Sequence, residues 1–398
     1  MDDKYIVLTS RQSMTGDPFA RVFPAMAGRP SLAFDVAFEV RDLKKKEVAE
    51  LARNPEVVAS APVMPMKLIA PQRAANQELV DVANQQTAWG VQAVGADSSP
   101  FDGDGIVVAV IDTGIDAGHA AFNGIDLLQQ DFTGEGDGDE HGHGTHCAGT
   151  IFGRDVNGTR IGVARGVKKA LIGKVLGRDG GGSSEQICSA ILWAVENGAN
   201  VVSMSLGIDF PGYQKELERR GLPPEVATSR ALEGYRRNVE FFEALAAHVQ
   251  ARSLFSQTAL IVAAAGNESN RKQGEFWEVS VSPPAVSQGI VSVAAIQTGA
   301  QGFTVASFSN TGANLSGPGV NVVSAQAGGG LVAFNGTSMA TPHVAGVAAT
   351  WAQKLKAEGR LNAIDLTARL IGSTVTEGFK QGFDPLDVGA GLVRCPQQ

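Results

Sequence analysis

From residue 105 onward, short unbroken apolar runs alternate with longer helix-like stretches, and few architectures accept that alternation. A strand that is apolar at every position has no face to offer water, so it belongs in a sheet covered on both sides. Strand and helix in strict alternation point to a mainly parallel sheet between two helical layers, a three-layer α/β/α unit. The expected strands are 105–111, 170–175, 201–204, 260–264, 290–295 and 320–324, and the expected helices 144–151, 184–197, 229–254 and 338–356. Forty-eight glycines against 6% aromatics suit a chain of tight turns and close backbone approaches, and exclude a helical bundle.

Residues 1–75 follow a different pattern. Stretches 5–10 and 31–40 are strand-like, the second alternating Leu32, Phe34, Val36, Phe38 and Val40, while 44–53 is helix-like and 57–69 gives one or two further strands. This predicts a small N-terminal α+β unit, although 11–30 shows no clear period. The polar run 71–77 reads as an exposed linker, where chains are readily cut. Residues 76–398 would form the second, larger domain.

Charge and length exclude some classes of function. A net charge of −8 with no long run of one sign gives no electrostatic reason to bind nucleic acid, and Lys44-Lys45-Lys46 lies in an acid-balanced, helix-like segment. No apolar run approaches the ~20 residues of a membrane span. The start, Met1-Asp2-Asp3-Lys4-Tyr5, turns directly into a strand-like run without the apolar core of a leader, and three cysteines at no ligand-like spacing suit a reducing compartment. These features predict a cytoplasmic protein; a secreted chain trimmed of its leader would read the same.

Four short stretches carry chemistry. Ser338 follows Asn335-Gly336-Thr337 and precedes an apolar run with an early proline, which places its hydroxyl in the first turn of a helix, over the positive end of the dipole. Asp112 ends the first core strand, where open α/β sheets build their sites, although an aspartate there also serves as a turn former. His143 stands between Gly142 and Gly144 at a helix start; with His141 and His146 it could instead bind a metal, but no zincin-type pairing of histidines around a glutamate is present. Asn267 closes another buried strand, where a fixed amide can face a developing oxyanion. The glycine-rich 177–182 run lacks the Lys-Ser/Thr ending of a phosphate loop, and its bare backbone can pair with an extended peptide.

The order Asp112, His143, Asn267, Ser338, each in small-residue surroundings, resembles the subtilase family over about residues 87–393. That resemblance implies a serine endopeptidase of subtilisin-like fold working through an acyl-enzyme, with Asp112, His143 and Ser338 as catalytic triad and Asn267 as oxyanion donor. It also implies that Gly180, Gly181, Gly182 and Ser205, Leu206, Gly207 sandwich the substrate as an added strand, and that Ala264, Ala265 and Gly266 wall the S1 pocket for an apolar or aromatic P1 residue. Ser183 and Ser184 stand where the family often carries a large aromatic, implying a wide S4. Residues 1–75 resemble the inhibitory propeptide, with a ferredoxin-like fold and a junction between about Met66 and Asn76. Protein or peptide substrates, the chain's own propeptide as inhibitor, and a monomer are the partners this implies.

Two departures are visible. The family's calcium-binding aspartate is absent from His119-Ala120-Ala121-Phe122; the acidic loop 134–140 or the turn holding Asp155 and Asn157 could bind calcium elsewhere, and no cofactor is otherwise required. The connection 208–229 is long, and is expected to border the non-primed side of the cleft as a lid or exosite. Two rival readings are a non-catalytic peptide-binding module that keeps its propeptide as a permanent ligand, and a metal-dependent hydrolase built on His141, His143 and His146.

Overall fold

The computed structural model describes residues 3–11, 35–71, 86–252, 258–274 and 276–398. The N-terminal unit pairs β1 (Asp3–Arg11) antiparallel with both β2 (Asp35–Leu43) and β3 (Val57–Pro62). Helix α1 (Lys45–Leu51) begins with a capping box in which Glu47 accepts from the Lys44 amide. Val7, Leu43 and Leu51 form a small core on one face of the sheet. Ile6 and Leu8 alternate onto the other face, as period two requires. The aperiodic stretch noted above and the 71–77 linker fall almost wholly outside the described residues. A fourth strand, β4 (Pro65–Leu68), leaves the unit altogether and joins the larger domain.

In that domain α2 (Trp89–Ala93) precedes β5 (Val107–Asp112), β6 (Asp126–Asp131), α3 (His143–Phe152) and β7 (Lys169–Lys174). There follow β8 (Gly181–Ser183), α4 (Ser184–Glu196), β9 (Val201–Met204), β10 (Leu206–Ile208), α5 (Phe210–Arg219) and α6 (Pro224–Arg252). The chain continues through β11 (Leu260–Ala264), β12 (Ile290–Gly299), β13 (Gly302–Val305), β14 (Leu315–Pro318), β15 (Val322–Ala325), β16 (Leu331–Phe334), α7 (Thr337–Ala357) and α8 (Ala363–Gly372). The central sheet runs β13-β12-β11-β9-β5-β7-β6, with β14 on β12; all its pairings are parallel except β12 with β13.

Alternation along the strands divides the interior in two. Val108 and Val110 of β5 face a core shared with α3 and α7, whereas Ala109 and Ile111 face one shared with α4 and α6. Both faces are dry, which is why these strands read as unbroken apolar runs. The second core also takes in Ile6, Leu8, Ala61, Met64, Met66 and Leu68, so the N-terminal unit sits on the α4/α6 layer through a continuous apolar contact.

Two expectations need correction, and an edge strand was not expected. The strand expected at 320–324 forms a separate two-stranded sheet of β15 and β16. The helix expected from 229 begins at Pro224, with Glu225 in its first turn, and runs 29 residues. The polar alternation of Asp126–Asp131, which carries no continuous apolar signal, is an edge strand of the main sheet.

Candidate active site

Chain reversal in the sheet leaves a crevice at the carboxyl ends of β5 and β9, because β7 lies on one side of β5 and β9 on the other. Asp112 is the last residue of β5, and its Oδ1 lies 2.7 Å from Nδ1 of His143, the first residue of α3. Both side chains are buried. Burial opposes the imidazolium, but the charge and hydrogen bond of Asp112 outweigh it and hold the His143 pKa well above its ordinary 6.5. Among the described residues, Nε2 of His143 is buried without a hydrogen-bond partner.

Ser338 is the second residue of α7, and its hydroxyl donates to the Ile69 carbonyl at 2.8 Å. Asn267 is held by its own side-chain oxygen, which accepts from the amide and hydroxyl of Thr337, both at 2.9 Å. Its Nδ2 is thereby turned to the cleft, where it donates to the Ala70 carbonyl at 3.0 Å. Serine and amide thus straddle the Ile69–Ala70 peptide.

The peptide that fills the cleft is this chain's own β4, the middle strand of a sheet with β8 and β10. Its register pairs Met66 with Gly182 and Lys67 with Gly181 on one side, and Lys67 with Gly207 and Leu68 with Leu206 on the other, antiparallel in each case. Leu68 donates to the Gly180 carbonyl at 2.8 Å and Ile69 to the Ser205 carbonyl at 3.4 Å. A Cβ on Gly180 would stand 3.1 Å from that of Leu68, and its φ is +77°, so glycine is needed there twice over. Met66 is 2% exposed within an aliphatic cluster that includes Ile187, Leu206 and Ile208, so the side chain at this position is enclosed by apolar groups.

Ala264 and Ala265 are buried at the carboxyl end of β11, and the Gly266 amide donates to Thr337 Oγ1. Glu268 does not face a P1 side chain: its Oε2 accepts from Asn310, and its Oε1 lies 3.9 Å from Lys67. The three histidines do not converge. His141 is exposed and edge-on to His143, while His146 is buried, bonded to the Val322 carbonyl and stacked on Phe334, with burial pushing its pKa down to about 3. Asp155 and Asn157 also lie apart from the cleft chemistry. Asp155 pairs with Arg165 at 3.5 Å, and Asn157 takes a left-handed φ of 51° in a turn.

Residue reading missed two supports. Asp139 accepts from the Thr113 hydroxyl, from the amides of His141, Gly142 and Thr145, and from the Thr145 hydroxyl, at 2.7–3.2 Å. Those bonds outweigh burial and hold its pKa below the usual carboxylate value. The Thr113 hydroxyl accepts in turn from the Gly144 amide at 2.9 Å, so one carboxylate ties the end of β5 to the start of α3. An acid a few residues before a glycine-rich helix start is a capping signal, and it was legible as such. Asn310, fully buried, accepts from the amides of Glu268 and Ser269 and fixes the loop after Asn267; no local pattern marks it.

A serine at a helix start, an imidazole on a buried carboxylate and an extended peptide laid over both make this the site of a serine peptidase. The subtilase family (Peptidase_S8) matches residues 103–387. Subtilisin-like serine protease Pen ch 13 of Penicillium rubens is 32% identical over 329 residues, 78% of this chain and 70% of that protein. Subtilisin BL of Lederbergia lenta is 34% identical over 301 residues, 73% of this chain and 94% of its own length. Subtilisin-like protease 1 of Trichophyton equinum is 32% identical over 323 residues, though the match spans 52% of it. The chain belongs to the subtilase family and is a subtilisin-like serine endopeptidase, whose substrates are proteins. The family match begins beyond the N-terminal unit.

Proposed function

We propose that the chain is a zymogen that cuts itself at Ile69–Ala70 and is held inactive until its N-terminal unit leaves. The observation that carries this reading is the Ser338 hydroxyl on the Ile69 carbonyl, with residues 66–69 in register between β8 and β10. In the reaction His143 Nε2 takes the Ser338 proton as Oγ bonds to the Ile69 carbonyl carbon. The carbonyl oxygen becomes an oxyanion facing the Ser338 amide, and Asn267 Nδ2, which donates to the adjacent Ala70 carbonyl before reaction, turns to it. In subtilisin, from which this magnitude comes, loss of that side-chain donor costs about 10²- to 10³-fold in kcat. The proton then passes from His143 to the Ala70 nitrogen, the C–N bond breaks, and water hydrolyses the Ile69 ester by the same route. Asp112 keeps the Nδ1 proton in place and stabilises the imidazolium.

Ile69 is 3% exposed, which supports an apolar P1 residue. After cutting, residues 3–69 remain docked through the shared core and inhibit as a bound product. The active enzyme is a monomer; calcium at Asp155 would have to displace the Arg165 guanidinium that pairs with it at 3.5 Å.

Intact mass and N-terminal sequencing of the wild type beside Ser338→Ala test the reading. The expected result is a new N-terminus at Ala70 in the wild type and an uncut variant. Since Asn267 bonds to the Ala70 carbonyl, a terminus at Pro71 would move the cut one residue along. Two full-length chains, neither labelled by a fluorophosphonate, would leave a peptide-binding module.

A further inference from the structure

Pro65, paired with Ser183 of β8, ends the added strand, and residues 62–64 run beyond it yet still bond to the larger domain. The Pro65 carbonyl accepts from the Asp209 amide at 3.0 Å. Met64 donates its amide to Ser184 Oγ and accepts from the Ser184 amide, both at 3.0 Å. The Pro62 carbonyl accepts from Asn238 Nδ2 at 2.9 Å. Ser184 and Asn238 are fully buried, so neither bond is exchanged with water while the strand is in place.

The Met64 side chain is itself fully buried, against α6. A Cβ on Gly234 would stand 3.2 Å from Met64 Sδ and 3.3 Å from Tyr213 Cε1. The notch therefore exists because residue 234 carries no side chain, in a helix interior where glycine is disfavoured and so wants a packing reason. Tyr213 lies on α5, in the long connection; α5 and α6 together make the wall.

We propose that the α5–α6 hairpin builds an S6 subsite, a notch for an unbranched apolar side chain such as methionine, with Ser184 clamping both backbone groups of the P6 residue. The assignment rests on the reading that residues 64–69 lie as P6 to P1. Methionine suits it, because an unbranched thioether can follow an irregular gap that a β-branched side chain cannot. The same bonds would let the enzyme spend binding energy gained far from the scissile bond on the reaction itself. A free peptide lacks the Ile6, Leu8 and Ala61 contacts that complete the burial of Met64 here, so only part of the full gain is expected.

The test uses the full chain after self-processing and release of the N-terminal unit, and three acetylated p-nitroanilides: Met-Lys-Leu-Ile, Met-Pro-Met-Lys-Leu-Ile and Asp-Pro-Met-Lys-Leu-Ile. The methionine hexapeptide is expected to exceed the tetrapeptide and the aspartate hexapeptide by about tenfold in kcat/KM, equivalent to about 1.4 kcal/mol. In Gly234→Leu the ratio between the two hexapeptides should fall to about one. Equal hexapeptide rates in the wild type, or an unchanged ratio in Gly234→Leu, overturn the S6 assignment while leaving the proposed peptidase intact. No hydrolysis of any of the three sinks the peptidase reading and the subsite with it.

Discussion

Asp139 joins the two strands of chemistry in this site, since its carboxylate holds the Thr113 that follows Asp112 and the helix start that carries His143. Asp139→Ala leaves several donors in a half-buried loop without an acceptor, and lets the imidazole drift from the nucleophile. A fall in kcat of about 10- to 100-fold with little change in KM is expected, because small misplacements of a base are costly. Asp139→Asn, which keeps one acceptor oxygen, should recover part of the loss; a KM effect alone would refute the positioning role. Because folding lowers the Asp139 pKa, its stabilising contribution is in place above about pH 4 and is lost as pH falls through the lowered value. His143 has the opposite sign. Its pKa is raised with a peptide in the cleft, and only the neutral ring accepts the Ser338 proton. Under saturating substrate, kcat should therefore rise with pH along a limb centred above about 6.5. Asp112→Asn should lower both that midpoint and kcat, the latter by about 10⁴-fold on the precedent of other triads.

At the scale of elements, on the proposed register of residues 64–69, α5 bears on specificity from its first turn. Asp209 caps it by accepting from the Gly212 amide, with Pro211 beside it, and so is held where its Oδ1 lies 3.5 Å from Lys67 Nζ. Glu268 approaches the same ammonium at 3.9 Å from the loop after β11. Lysine at P3 therefore meets two carboxylates. The groups are partly exposed, so the effect is modest: exposed pairs contribute about 0.2–1 kcal/mol, or about two- to fivefold. Peptides with lysine at P3 should be cut that much faster than those with glutamine, and the preference should fade in high salt and in Asp209→Asn. A preference unmoved by salt would mean that the pairs are incidental. The long connection was legible from its length and prolines. Its place beside the non-primed side was expected from its position after the pairing strand, but the contacts were not legible, because the bonds from Asp209 and the packing of Tyr213 and Gly234 reach residues about 150 positions away in the chain.

For the whole molecule, the N-terminal unit and the larger domain share one apolar core on α4 and α6. Leu8 is fully exposed to that core and closed to solvent, so Leu8→Ala should cost about 2–5 kcal/mol, felt as weaker docking of the unit. In the uncut Ser338→Ala background, amide exchange at residues 66–68 should then speed up tenfold or more. Unchanged exchange would show that β4 is held by its own pairing alone. The match to the subtilase family, residues 103–387, begins after this unit.

The sequence by itself determined the layers and pointed to the chemistry proposed for them, because both signals are local. Continuous apolar runs dictate buried strands, and Asp112, His143, Asn267 and Ser338 each announce themselves within a few neighbours. Glycines at 180–182 likewise marked a place where backbone meets backbone. Tertiary structure alone decided what fills the cleft and how far it extends. Polar contacts such as Ser184 with Met64, Asn238 with Pro62 and Asn310 with Glu268 join residues remote in sequence. A side chain that finds its partner across the fold leaves no period and no spacing in its own neighbourhood, so only the folded chain reveals it.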